Sequence, residues 1–320
     1  MKKIAVLTSG GDAPGMNAAV RAVVRTALNA GIEVYGVIRG YNGLIKDELV
    51  PMTLRSVSNI LQQGGTMLYT ARSPEFMTLE GQQKAAENCR KHGIEGVVVC
   101  GGDGSFRGAQ KLSQQGINCI CIPCTIDNDI GCCEYTIGYD TATNTVVDMV
   151  DKLRDTCQAH DRCSVVEVMG RHAGWLALGA GMAAGATSIL VPEVPYDFQK
   201  DIVERMKYTA SLGKHHFFVM VAEGIGDVET LARDIEKYTG VETRATVLGH
   251  VQRGGRPSAR DRILASQMGY YAAHLLMDGK TERVVAINNN SLMDYDIDEA
   301  LAMKKPFKSR LFRMAEEISI

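Results

Sequence analysis

The sequence predicts an α/β fold in which mostly parallel sheets are covered by helices on both faces, divided between two lobes. Three observations carry that prediction. Short apolar runs recur along the chain, each ends in a glycine-rich turn, and amphipathic helical stretches follow. The length, 320 residues, exceeds what one hydrophobic core usually organises.

The elements follow in order. Ile4–Thr8 runs into Ser9-Gly10-Gly11-Asp12-Ala13-Pro14-Gly15, and a helical stretch covers about Met16 to Leu28. Gly96–Cys100 runs into Gly101-Gly102-Asp103-Gly104-Ser105, and Cys119–Ile122 stops at a break expected at Pro123. Val146, Met149, Val150, Leu153 and Cys157 keep helical spacing. Ser164–Val168 leads to Met169-Gly170-Arg171-His172-Ala173-Gly174; Ile189–Val191 and Phe217–Val221 are further strands, the latter ending at Ala222-Glu223-Gly224. A weaker helix is predicted over Lys200–Ala210. No low-complexity linker separates the lobes, so they are expected to exchange segments of chain.

Composition excludes several classes. A formal charge of −2 and a pI near 6.4 offer no overall attraction to nucleic acid or to an anionic membrane. The apolar run after Lys2-Lys3 stops too soon for a signal peptide, and no stretch is long enough to span a membrane. A cytoplasmic protein is expected. Nine cysteines leave at least one unpaired. Cys119, Cys121, Cys124, Cys132 and Cys133 lack the paired hooks of a zinc site and read as small core residues, so no structural metal is expected.

The chemistry concentrates at strand ends. In Thr125-Ile126-Asp127-Asn128-Asp129 two carboxylates stand two apart. On an extended segment both would face one ligand, one as a base and one beside a hard cation. An Asx-rich turn after proline is the equally good alternative. Amides of the turns at Gly10–Gly15 and Gly101–Ser105 can form anion nests at helix starts. Asp103 inside such a nest would repel a phosphate unless a cation intervened, which nominates it as a magnesium ligand. Arg72 follows the flexible Gly64-Gly65-Thr66, while Arg162, Arg171, Arg244 and Arg253 lie near predicted strands. Single arginines are usually solvated, but His250-Val251-Gln252-Arg253-Gly254-Gly255 follows the apolar run Ala245–Leu248, a place suited to gripping a phosphorylated ligand. Glu223 ends a buried strand and is either a ligand group or a loop carboxylate facing water. His215-His216 show no metal spacing.

Five segments together resemble the bacterial 6-phosphofructokinases over nearly the whole chain: Leu7–Asn17, Gly101–Ser105, Thr125–Asp129, Met169–Arg171 and Leu248–Gly255. The glycine turn alone would also suit NAD or lipid kinases, which would not explain the His250/Arg253 segment. The resemblance implies two Rossmann-like three-layer domains, 1–138 with about 256–305 for nucleotide and 139–255 with about 306–320 for sugar phosphate. It implies phosphoryl transfer from Mg-ATP to the 1-hydroxyl of fructose 6-phosphate. Asp127 would be the base; Asp103 and Asp129 would serve Mg2+. Gly11, Arg72, Ser73, Gly102, Asp103, Gly104, Ser105 and Gly108 would hold ATP, and Arg72 would steady the transferring group. Thr125, Asp127, Met169, Gly170, Arg171, Glu223, His250 and Arg253 would bind the sugar phosphate, with Arg162 and Arg244 reaching it from a neighbouring subunit of a homotetramer. Gly11, Thr125 and Arg171 join Asp127 and Arg72 in the catalytic set. An effector site for ADP or phosphoenolpyruvate would use Arg21, Arg25, Arg154, Gly185, Lys214 and His216.

Departures from the family pattern matter. Cys124 stands where ATP users carry Gly and pyrophosphate users Lys, whereas Gly104 suits ATP; Met77 and Gln82 replace basic residues near the nucleotide. A pyrophosphate-dependent enzyme is the alternative, and a catalytically silent sugar-phosphate-sensing subunit a further one that the intact Asp103, Asp127 and Asp129 oppose. Leu54, Asn59, Thr187 and Leu212 replace charged effector-site residues, so weak or absent effector response is expected.

Overall fold

A computed structural model describes residues 1–319. The first part of the chain alternates β1 (Lys3–Thr8), α1 (Met16–Asn29), β2 (Glu33–Val37), α2 (Tyr41–Lys46), β3 (Leu49–Met52), α3 (Leu79–His92), β4 (Gly96–Gly101), α4 (Asp103–Ser113) and β5 (Asn118–Pro123). Then come α5 (Tyr139–Ala159), β6 (Cys163–Val168), α6 (Trp175–Ala183), β7 (Ser188–Leu190), α7 (Arg205–Ser211), β8 (Phe217–Ala222), α8 (Val228–Thr239) and β9 (Thr243–Val247). The last elements are α9 (Ala259–Met277), β10 (Arg283–Asn288), β11 (Ser291–Asp296), α10 (Ile297–Ala302) and α11 (Ser309–Glu317). The mixed α/β fold expected from the sequence is present. Among the described residues no helix is long and apolar enough to cross a membrane.

The chain divides into two units, each assembled from separated segments: 1–125, 130–141 and 253–305 in the first, 126–129, 142–252 and 306–320 in the second. The first holds a seven-stranded sheet in the order β11-β10-β5-β4-β1-β2-β3. Its central pairs are parallel, and only the outer pairs β2/β3 and β10/β11 run antiparallel. β1 to β2 and β4 to β5 step outward in opposite directions, so right-handed crossovers place α1 and α4 on opposite faces. α1 packs closely on α9 because Gly269 carries no side chain; a Cβ there would lie 2.7 Å from the Ala19 carbonyl oxygen. The core strand β4 is buried at every residue, which is why it reads as an unbroken apolar run.

The second unit holds a four-stranded, all-parallel sheet in the order β7-β8-β6-β9. Its core joins Val165, Phe217, Val219 and Val221 to Ile202, Met206 and Ile235 from the flanking helices. The weak helical pattern at Lys200–Ala210 is a π-helix over Phe198–Glu204 that continues into α7, a wider winding that shifts which residues face the core.

All nine cysteines are free and buried. Cys119 and Cys121 lie on β5 as core residues, and burial pushes the Cys119 thiol up to about 12. Their low thiolate content makes them packing groups.

One buried carboxylate anchors the first unit. Asp261 on α9 is inaccessible to solvent and accepts from the Gly138 N–H at 3.0 Å, the Thr141 N–H at 2.8 Å and the Thr141 hydroxyl. Burial raises its carboxyl above the ordinary 3.8, against the hydrogen bonds that lower it. The folded chain therefore holds this proton more tightly than the unfolded one, so the group's contribution to stability falls as pH rises from 3.8 through the folded value. Asp261→Asn turns an amide NH2 toward donors and should cost about 1–3 kcal/mol. Urea unfolding should show the gap between the wild type and this variant narrowing from about pH 4 to pH 7.

Candidate active site

In the first unit, β1 lies between β4 and β2, where successive connections leave in opposite directions. Such a point opens a crevice beyond the carboxyl ends of the strands. The turns Ser9–Gly15 and Gly101–Asp103 meet there, and the Ser9 N–H donates to the Cys100 carbonyl at 2.9 Å. Gly10 takes φ 86° and Gly15 φ 109°, left-handed values that glycine adopts without penalty.

The glycines of the second turn serve different ends. At Gly101 a Cβ would lie 2.6 Å from the Ser9 carbonyl oxygen, so this glycine is demanded by the protein itself. At Gly102 and Gly104 a Cβ would meet no atom within 4 Å. Asp103 opens α4, an eleven-residue helix whose amino end faces the same turn, and Ser105 is buried beneath it. Open space above the amino end of α4 and the dipole of that helix suit an anion.

Neighbouring segments close around this turn. A Cβ on Gly11 would lie 2.7 Å from Arg253 Nη1, and that guanidinium donates to the Asp12 carbonyl at 3.1 Å. The Thr70 hydroxyl donates to the Gly10 carbonyl at 2.7 Å, and the Thr8 hydroxyl donates to the Tyr69 carbonyl at 2.7 Å. The stretch expected to be flexible is tied down: Gly64 packs against the Gly255 carbonyl, and Asn17 reaches both Gln63 and Gly64. Arg72 itself is exposed on this anchored loop, and Ser73 accepts from the Phe76 N–H at 3.3 Å. Gly108 makes room for Tyr41, whose ring stacks on Phe76 at 4.2 Å and whose hydroxyl donates to the Ser105 carbonyl. Sequence reasoning missed Tyr41, which stands in no recognisable motif.

Thr125 ends the first long segment of this unit; its carbonyl accepts from the Thr136 hydroxyl at 2.6 Å. The four residues that follow group with the second unit. They are not extended: Ile126 and Asp127 form a turn, and Asn128 takes φ 51°. Alternation along a strand therefore does not bring Asp127 and Asp129 to one side. Asp127 is buried at 7% exposure, whereas Asp129 is partly open.

In the second unit β6 lies between β8 and β9, and the turns after these three parallel strands share one end of the sheet. The turn after β6 is strained. Gly170 takes φ 154° with no room for a Cβ beside the Ala173 carbonyl, and Arg171 takes φ 60°. Glu223 at the end of β8 holds it, accepting from the Gly170 N–H at 3.2 Å and from the Arg171 N–H. Burial and the nearby Glu223 raise the Glu167 carboxyl beneath. Gln252, fully buried, accepts from the Met169 N–H at 3.1 Å and donates to the Gly249 carbonyl at 2.9 Å. It ties the turn after β6 to the segment carrying the exposed His250. Gln252 lies inside a segment prominent in the sequence, yet only its burial reveals its task.

Arg162 and Arg244 meet at a shared carboxylate, Glu242. The effector candidates fall into separate groups. Arg21 and Arg25 lie on α1 in the first unit, where burial and then Arg25 lower Arg21. Arg154, Gly185, Lys214 and His216 lie in the second unit, where burial and then Arg154 lower both Lys214 and His216. Leu54 and Leu212 stand exposed, and Thr187 is buried.

A family model described as phosphofructokinase matches residues 3–276. The ATP-dependent 6-phosphofructokinase of Clostridium tetani is 57% identical over 322 residues, and that of Bacillus velezensis 54% over 320, each spanning 100% of both chains. Phosphofructokinase from Saccharomyces cerevisiae superposes with a TM-score of 0.88 at 37% identity, covering 100% of this chain and 48% of that one, so the chain spans about half the yeast protein's length. A pyrophosphate-dependent phosphofructokinase from Marinobacter aquaeolei gives a TM-score of 0.86 at 25% identity, covering 97% and 86%.

Replacing Gln252 by Leu would leave the Met169 N–H and the Gly249 carbonyl without these partners. A loss of about 1–3 kcal/mol in chemical denaturation is expected.

Proposed function

The chain belongs to the phosphofructokinase family, and we propose that it transfers the terminal phosphoryl group of ATP to the 1-hydroxyl of fructose 6-phosphate, giving fructose 1,6-bisphosphate and ADP. The observation that carries the reading is the cradle at Gly102–Ser105, open above both glycines and capped by the start of α4. In phosphoryl transfer a protein mainly positions groups and neutralises charge. Amides of the two glycine turns suit the phosphates of ATP, with Gly11, Arg72, Ser73, Gly102, Gly104, Ser105 and Gly108 around them. By the family resemblance Thr125, Met169, Gly170, Arg171, Glu223, His250 and Arg253 suit the sugar phosphate, with Arg162 and Arg244 contributed by a neighbouring subunit of a homotetramer.

Magnesium fits the donor set. Asp103 and Asp129 offer hard carboxylate oxygens, and Mg2+ characteristically binds one or two carboxylates while keeping waters and phosphate oxygens. Asp103 and Asp129 would hold it, and when bound it would offset charge on the transferring phosphoryl group. Asp127 takes the proton of the 1-hydroxyl as that oxygen attacks, and Arg72 steadies the equatorial oxygens.

ATP is favoured over pyrophosphate as donor. Cys124, the residue that departs most from an ATP pattern, is buried, and its thiol is raised first by burial and then by contact with Cys100, so it lies in the core. Gln82 likewise points inward, donating to the Phe76 carbonyl at 3.1 Å, while Met77 is 84% exposed.

Product formation from fructose 6-phosphate should proceed with Mg-ATP and fail with pyrophosphate; the reverse would overturn the donor assignment. In Asp127→Ser, turnover should fall by roughly 10²–10⁴ with sugar-phosphate binding retained. Unchanged turnover would remove Asp127 as the base. With Leu54, Thr187 and Leu212 in place of charged groups, ADP should change the dependence of rate on fructose 6-phosphate little, and sigmoidal kinetics relieved by ADP would contradict that.

A further inference from the structure

Arg162 and Arg244 share a single counter-charge. Arg162 Nε lies 2.9 Å from Glu242 Oε2 without the alignment of a hydrogen bond, and Arg244 Nη2 donates to Glu242 Oε1 at 2.6 Å. Strand pairing builds this fork. Cys163 on β6 lies opposite Thr243 on β9, Ser164 lies opposite Arg244, and the Cys163 N–H donates to the Glu242 carbonyl at 2.9 Å. Arg162 just before β6 and Glu242 just before β9 are thus held side by side, with Arg244 two residues further along.

The trio is open to solvent in a graded way. Side-chain exposure is 27% for Arg162, 39% for Glu242 and 69% for Arg244, so a ligand reaches Arg244 first. Glu242 is held ionised: its carboxyl is lowered chiefly by Arg162, with burial opposing and Arg244 adding. Two guanidiniums against one carboxylate leave one positive charge over. The N–H groups that face Glu242 are also those a phosphate would use.

We infer that Glu242 is an internal counter-ion that a phosphomonoester ligand displaces from Arg162 and Arg244, so that it sets affinity for the sugar phosphate. The inference rests on the reading that these two arginines bind that phosphate. An exposed carboxylate–guanidinium pair is weak and screened by salt. A dianionic phosphate between the same guanidiniums forms charge-assisted bonds to both and drives the carboxylate off. While Glu242 remains ionised nearby, it repels the incoming phosphate. Removing its charge but keeping an oxygen acceptor, as Glu242→Gln does, relieves that repulsion and preserves part of the fork.

The test compares the full-length wild type with Glu242→Gln for KM toward fructose 6-phosphate and kcat at low and high ionic strength. Inhibition by inorganic phosphate serves as a probe of charge alone. At low salt KM should fall by about threefold and inorganic phosphate should bind correspondingly more tightly, with kcat within about twofold. The difference should close as added salt screens the site. An unchanged or raised KM in Glu242→Gln overturns the inference. Arg244→Gln tests the underlying reading separately, because an unchanged KM there removes the arginine from the phosphate site. A raised KM in Arg244→Gln beside an unchanged KM in Glu242→Gln removes only the counter-ion.

Discussion

The pairing of β1 with β4 is the constraint on which the first unit depends. Because β1 has β2 on its other side, the turns that leave β1 and β4 meet at one end of the sheet. The bond from the Ser9 N–H to the Cys100 carbonyl extends that pairing past the strands. Gly101 is then forced to be glycine by the Ser9 carbonyl, while Gly102 and Gly104 next to it face open space. A packing demand and a vacancy thus stand within four residues. Only the vacancy has a use for a phosphate. Asp261 secures the same unit from below by fixing Gly138 and Thr141.

The second unit solves a different problem. Left-handed backbone at Arg171, next to the permissive Gly170, costs free energy and persists only when its surroundings impose it. Glu223 imposes it through two backbone N–H groups, and Gln252 fixes the preceding Met169. A carboxylate committed to backbone amides is an orienting group, which suits a site that must present Arg171 in one direction.

Much of the fold is legible in the sequence for a simple reason: strands buried on both faces must be continuously apolar, and β1, β4, β5 and β8 are. The turns are legible because glycine is required where they reverse. Other features escape for physical reasons. The π-helix over Phe198–Glu204 leaves no separate periodicity in so short a stretch. Spacing leaves Asp127–Asp129 open between an extended segment and an Asx-rich turn, because it cannot show that Asn128 adopts φ 51°. Gln252 and Glu242 look like ordinary polar residues, and their partners lie far along the chain or on an adjacent strand. The family motifs mark whole segments, and only burial and partners single out the residues within them, such as Gln252, that hold the others.

How a cation's donors are spent separates structural from binding arginines. Arg154 donates to the Ala184 carbonyl, and Arg205 donates to the Glu316 carbonyl and lies 3.6 Å from the Glu316 carboxylate, so these donors are engaged within the second unit. Arg253 gives one donor to the Asp12 carbonyl and keeps the rest of its fork, so it is positioned without being consumed. Arg162 and Arg244 face a carboxylate, an acceptor of the same kind as a phosphate oxygen and one that can return to water. Exchange of one oxyanion for another costs far less than stripping a carbonyl. On that ground we propose Arg162 and Arg244 as the pair whose donors an anionic ligand can take over, while Arg205, spent on Glu316, helps hold the second unit together.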